Sequence, residues 1–166
     1  MKFCPQCANV LKQADVDGAQ HLQCINVDCD FVQWNNPVPV VMAFVKYQNK
    51  IIIAHHSLWP VEAYSFITGY LDEFEKPEQA VLREVKEELG LDGVLGRFLG
   101  HHMYLEKNQL IIAYEVAASG IVHLNHELDD YRLLSAKEIV HYDFGSLAIP
   151  REVVQQWAHD PSFSKY

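Results

Sequence analysis

Apolar content along the chain rises sharply at Val38. The β-branched runs Val40-Val41-Met42-Ala43-Phe44-Val45 and Ile51-Ile52-Ile53-Ala54 flank Gln48-Asn49-Lys50, a pattern that predicts a hairpin of two core strands. Trp34-Asn35-Asn36-Pro37 marks a boundary before them, and Pro37 and Pro39 suit the start or edge of a strand. Over residues 78–89, Val81, Val85 and Leu89 repeat at helical spacing, with Pro77 in the first turn and Gly90 at the stop position. Strands are predicted at about 97–105, 109–117 and 131–134. Helices are predicted at 135–141, opened by Ser135 as N-cap, and at 150–159. This order predicts an α/β fold, a curved mixed sheet with helices on both faces over residues 37–166, preceded by a small unit of residues 1–36.

Charge and length narrow the function. The 166 residues carry 13 Lys and Arg against 22 Asp and Glu, a net charge of −9. No apolar run approaches the ~18 residues that cross a bilayer, which excludes a helical membrane span. Met1-Lys2-Phe3-Cys4-Pro5 breaks the apolar stretch a secretory signal needs, so the cytoplasm is the expected location. The acidic excess weighs against broad attraction to nucleic acid or anionic lipid, and a polyphosphate ligand would need cations as intermediaries.

All four cysteines fall within the first 29 residues, as Cys4-Pro5-Gln6-Cys7 and Cys24-Ile25-Asn26-Val27-Asp28-Cys29. Two short-spaced pairs suit a tetrahedral Zn(II) site, and Asp17-Gly18 between them is a hairpin signal that returns the second pair to the first. Disulfides or unrelated buried thiols are the alternative. Four thiolates leave no open coordination position, so such a zinc would stabilise the fold rather than activate water. Lys2 and Lys12 against Asp15, Asp17, Asp28 and Asp30 make this segment acidic, which disfavours a nucleic-acid clamp and suits a packing role or a homodimer contact.

On the 78–89 helix, Glu84, Glu87 and Glu88 stand at i, i+3 and i+4, opposite the apolar stripe. Like charges so placed repel by a few tenths of a kcal/mol per pair, which calls for a positive partner. Either Arg83 and Lys86 partner a solvated acidic face, or a hard divalent cation sits over the carboxylates.

From Gly69 to Leu91 the chain reads Gly69, five residues, Glu75, seven residues, then Arg83-Glu84-Val85-Lys86-Glu87-Glu88-Leu89-Gly90-Leu91. This resembles the Nudix box at every specified position. The resemblance implies an α/β/α sandwich that hydrolyses the pyrophosphate of a nucleoside diphosphate linked to another moiety, with ADP-ribose, NADH or a similar dinucleotide foremost. It implies Mg(II) or Mn(II) held by Glu84, Glu87 and Glu88 with the Gly69 carbonyl. Arg83 would orient carboxylates, and Glu75 would support the loop or a metal-bound water. The general base would be Glu84 or a later glutamate: Glu127 stands at the expected place, and Glu115 is a weaker candidate. Lys76 stands where relatives often carry a capping Ser or Thr, a loss of ~1 kcal/mol.

Cysteine pairs, a Pro-containing linker and the box in this order resemble the NADH pyrophosphatase branch of the family. The chain nevertheless carries Gly100-His101-His102-Met103-Tyr104-Leu105-Glu106 where that branch has Ser-Gln-Pro-Trp-Pro-Phe-Pro. The closer likeness is to shorter zinc-ribbon Nudix hydrolases with a Trp-x-Asn-Pro-like linker. Trp59, Tyr64, Phe66 and Tyr104 are candidates to stack on a base, with Trp59 foremost, and His55, His56, His101 or His102 to reach a phosphate. A nucleotide-binding sensor without turnover is the competing function, although such proteins usually lose box carboxylates that this chain keeps.

Overall fold

The structure is a computed structural model and describes residues 1–159. It divides into two compact units, residues 1–37 and a second that begins at Val38. The first is a three-stranded antiparallel sheet of β1 (Leu11–Val16), β2 (Ala19–Cys24) and β3 (Val32–Gln33). Asp17 and Gly18 take φ of 54° and 83°, the two left-handed residues of a tight hairpin turn. Only Cys4, Leu11 and Cys24 are buried there, a core too small to hold a fold by itself.

The second unit is built on β4 (Val38–Tyr47) and β5 (Lys50–His56), the predicted hairpin. Next come β6 (Tyr64–Ser65), β7 (Ile67–Tyr70), α1 (Pro77–Leu89) and β8 (Asp92–Tyr104). A 3-10 turn (Leu105–Lys107) leads to β9 (Gln109–Ser119), β10 (Leu128–Leu134), α2 (Ala136–Val140) and α3 (Ala148–Ala158). The sheet runs β10-β5-β4-β9-β8, with β6 on β5 and β7 on β4, and among the described residues only β4 and β9 pair in parallel. Alternation along β4 sends Val40, Met42 and Phe44 to the face covered by α2 and α3, where Ile139, Val153 and Trp157 lie. It sends Val41, Ala43 and Val45 to the opposite face, against Val81, Val85 and Leu89 of α1. The result is the expected α/β/α sandwich with a mixed sheet.

The ends of α1 fit its sequence. Pro77 opens it, the Lys76 N–H donates to Gln79 Oε1 at 3.1 Å, and Gly90 closes it at φ 70°. Lys76 provides no side-chain cap; its carbonyl accepts from the Gln79 and Ala80 N–H groups at 2.9 and 3.0 Å. At α2, Ser135 Oγ accepts from the Glu138 N–H and Glu138 Oε2 accepts from the Ser135 N–H, a complete capping box.

Candidate active site

A cleft of about 480 Å³ opens beside α1 at the strand ends. Its acidic wall is the outer face of that helix, with Glu84, Glu87 and Glu88; Glu127 closes it from the segment before β10. That segment is pinned to the C-terminal carbonyls of α1: the His123 N–H bonds Leu89 O at 2.9 Å and the Asn125 N–H bonds Glu88 O at 3.2 Å. Asn125 Oδ1 then accepts from the Glu127 N–H at 3.0 Å, which fixes the turn that carries Glu127.

Arg83 organises the wall. Its Nε and Nη2 grip the two Glu75 oxygens at 2.9 and 2.8 Å, while Nη1 reaches Glu84 at 2.7 Å and Glu87 at 3.0 Å. Nη2 also donates to the Tyr70 carbonyl at 2.9 Å, so the loop and the helix are locked by one guanidinium. The two Arg83 bonds hold the Glu75 carboxyl down at about 2. Glu88 has no such partner among the described residues. Burial first, then the Glu84, Glu127 and Glu87 charges, push it up to about 8. Burial raises Glu84 as well.

Gly69 explains its own presence. A Cβ there would lie 1.9 Å from Glu84 Cδ and Oε1, so only glycine lets the β7 backbone and the Glu84 carboxylate share this corner. Oxygen-only donors with crowded negative charge suit a hard divalent ion such as Mg(II) or Mn(II).

The opposite wall is aromatic. Trp59, 37% exposed, stacks on His56 with ring centroids 5.6 Å apart, and both line the cleft. Phe66 lines it too but is 3% exposed and packed on Phe44 and Phe144, so it forms floor rather than a free stacking surface. Tyr104 is not among the lining residues. It packs against the core cluster under α3, with the Lys107 ammonium 5.7 Å from its ring, because the 3-10 turn after β8 turns Lys107 rather than Tyr104 into the cleft. Glu115 also lies elsewhere, bonded to Arg97, Lys46 and Trp157 on the α3 face, and His101 and His102 lie outside the cleft.

Lys107, Tyr70 and Gln109 join the site without a signal in the hydrophobic pattern; Gln109 Nε2 donates to Tyr70 Oη at 2.9 Å. The abrupt change from strand to Glu106-Lys107-Asn108, with Asn108 left-handed at φ 49°, is the one cue that a turn aims Lys107.

In the N-terminal unit, Cys4, Cys7, Cys24 and Cys29 bring their four Sγ atoms within 4.8 Å of one another. Sulfur separations of 3.4 Å (Cys7 to Cys24) and 3.7 Å (Cys4 to Cys29) exclude disulfides between these pairs and suit four ligands to one zinc ion.

Fold and cleft define a class: an α/β/α domain whose cleft has an acidic wall of oxygen donors and an aromatic one. Residues 36–156 match the family described as the NUDIX domain, and the chain belongs to that family. Similar curated proteins include the NAD-capped RNA hydrolase NudC of Vibrio atlanticus (strain LGP32), 32% identical over 119 residues, 69% of this chain and 41% of that protein. NudC of Vibrio parahaemolyticus serotype O3:K6 (strain RIMD 2210633) is 27% identical over 143 residues, 84% of this chain and 53% of that protein. The chain thus spans about half or less of the length of these relatives. Among solved structures, a NUDIX hydrolase from Nitrosomonas europaea aligns at TM-score 0.80 and 18% identity, covering 96% of this chain and 92% of that one. An ADP-ribose pyrophosphatase from Streptococcus suis 89-1591 aligns at TM-score 0.58 and 18% identity, covering 76% and 95%. These two likenesses establish the fold. Among the described residues no helix is long and apolar enough to cross a membrane.

Proposed function

We propose that the protein hydrolyses the pyrophosphate bond of a nucleoside diphosphate linked to a second moiety, with an NAD-type dinucleotide or ADP-ribose as the leading substrate class. The observation that carries this reading is the convergence of all three box glutamates with Glu127 on one cleft that also presents Trp59. The names of the relatives supply the dinucleotide.

Glu84, Glu87 and Glu88, with the Gly69 carbonyl, would hold Mg(II) or Mn(II). Such a metal, when bound, shields phosphate oxygens and lowers the pKa of water. Arg83 keeps the Glu84 and Glu87 carboxylates in place rather than meeting substrate, since its bonds are directed to Glu75, Glu84, Glu87 and Tyr70. Glu127, half exposed in the cleft and 3.9 Å from His56, is the freer carboxylate and the better placed to accept a proton from attacking water. Trp59 on His56 offers a stacking platform for a base, and Lys107 offers a cation to a phosphate. In the N-terminal unit Cys4, Cys7, Cys24 and Cys29 would hold a structural zinc.

The test is to incubate wild type and Glu87→Gln with Mg(II) and NADH, ADP-ribose, dinucleotide polyphosphates, nucleotide sugars and nucleoside triphosphates, and to identify products by mass spectrometry. Cleavage at the pyrophosphate by wild type alone is the expected result. Tight nucleotide binding with no turnover of any substrate would overturn the hydrolase reading in favour of a sensor. An NAD-capped RNA belongs in the same panel because relatives bear that name. The acidic balance of the N-terminal segment favours the free dinucleotide, and a steep fall of RNA cleavage with salt would mark the alternative.

A further inference from the structure

His55 is the one buried histidine among the described residues, 6% exposed, and it lies just behind the cleft. Both of its ring nitrogens face oxygen acceptors: Nδ1 is 2.5 Å from Asp129 Oδ1, and Nε2 is 3.0 Å from the Pro60 carbonyl. A carbonyl only accepts, and so does a carboxylate. A neutral imidazole has a single N–H and would leave one of these short contacts without a proton, so the geometry selects the imidazolium.

Strand register supplies a second observation. Leu128 pairs with His56 and Asp130 with His55, so Asp129 is an extra residue, a bulge in β10. Bulges beside functional sites re-aim side chains, and this one turns Asp129 onto His55. The two acceptors belong to the two segments that frame the cleft. Pro60 lies in the loop 57–63 that carries Trp59, and Asp129 follows Glu127 by two residues. Those segments meet again where the Ser57 N–H donates to the Glu127 carbonyl at 2.8 Å.

The groups around His55 are Asp129 and Asp130 from β10, Tyr64 from β6 with its ring 5.3 Å away, and His56 beside it on β5. Tyr64 Oη donates to Asp130, and the Arg132 guanidinium stands 3.9 Å from the Tyr64 ring.

We propose that His55 is a positioning residue for the cleft: as an imidazolium it ties the Trp59 loop to the Glu127 turn, so that both walls are set together and released together as pH rises. This rests on the function proposed above. The Asp129 bond, opposed by burial, holds the His55 pKa above its ordinary value of 6.5. The sign follows: the latch is fully made below about 6.5 and is lost as pH rises through the raised value.

The test uses the full chain labelled with 15N-histidine and 15N-tryptophan. Long-range proton–nitrogen spectra should show one histidine that keeps both ring nitrogens protonated to a higher pH than an ordinary imidazole, and the Trp59 indole resonance should move with the same midpoint as that histidine titrates. Asp129→Asn keeps the shape but removes the charge. It should lower that midpoint, shift the alkaline limb of the pH–rate profile downward by the same amount, and raise KM about fivefold at a pH between the two midpoints. His55→Gln, which offers donors from only one end, should show the raised KM at every pH. A His55 that loses its proton at or below the pH of an ordinary imidazole, or an Asp129→Asn protein whose Trp59 resonance and pH profile match wild type, would overturn the proposal. If wild type cleaves nothing in the panel the hydrolase reading fails, while the spectra still decide the latch.

Discussion

Gly69→Ala separates the cost of folding from the cost of chemistry at the acidic wall. The new Cβ would stand 1.9 Å from Glu84 Cδ and Oε1 and 2.5 Å from Cγ, so the carboxylate must retreat by about 1.5 Å to reach ordinary contact. The obstacle is the far end of a flexible side chain, not backbone, and the chain yields there by rotating Glu84. Overpacking of this kind costs roughly 1–3 kcal/mol, and the low end applies because Glu75 retains both of its Arg83 bonds when Glu84 gives up its 2.7 Å contact. Activity should suffer far more. A displacement of about 1 Å at reacting groups can lower rates roughly a hundredfold, and here the displaced group is a proposed metal ligand. Urea unfolding should therefore show a loss near 1 kcal/mol, while kcat/KM with Mg(II) falls by about two orders of magnitude and Mn(II) binds more weakly by calorimetry. Activity within a few-fold of wild type would contradict the placement of Glu84 at the reacting centre, as would a loss of activity that only tracks the unfolded fraction.

Three further outcomes are expected. Glu75 is held at about 2, below its ordinary 4.5, so its contribution to stability is complete above about 4.5 and fades as pH falls toward 2; Glu75→Gln should flatten that acid limb in urea titrations, and an unchanged limb would count against the Arg83 clamp. Elemental analysis should find one zinc per chain, and Cys24→Ser should abolish amide protection in residues 1–37 while the unfolding of the second unit stays unchanged. Trp59→Ala should raise KM for the dinucleotide about fivefold with kcat within about twofold, and a kcat effect alone would move Trp59 out of substrate binding.

Periodicity and turn chemistry expose the parts of the fold that repeat over several residues. The β4–β5 hairpin, α1 with its stops and the Ser135 cap were legible for that reason. Strand β8 begins at Asp92 rather than near Arg97 because Gly93 and Gly96 read as breakers. In the fold they are needed where a Cβ would meet Val116 Cγ1 and the Glu115 carbonyl, both at 2.8 Å. Strand β10 begins at Leu128 rather than Tyr131, since the Asp129 bulge hides the alternation. The short strands β6 and β7 are too brief to show a period at all. At the site, the carboxylates stood out by helical spacing, but the approach of Glu127 depends on Asn125 and His123 reaching back to α1, a tertiary contact with no local signature. Tyr104 and Lys107 are three residues apart, and only the turn between them decides which enters the cleft.

The parallel partnership of β4 with β9 also has a meaning for synthesis. One edge of β4 is satisfied early, by β5 and β7, but Val38 pairs with Gln109, so the other edge waits for about 70 further residues. At roughly 5–20 residues per second a ribosome needs about 4–14 seconds to deliver them. Through that interval the nascent chain carries Val40-Val41-Met42-Ala43-Phe44-Val45 with an open edge, the kind of segment that recruits other chains. Pro39, which offers no N–H, and Lys46, which offers a charge, sit at the two ends of this run and act as its gatekeepers until β9 arrives.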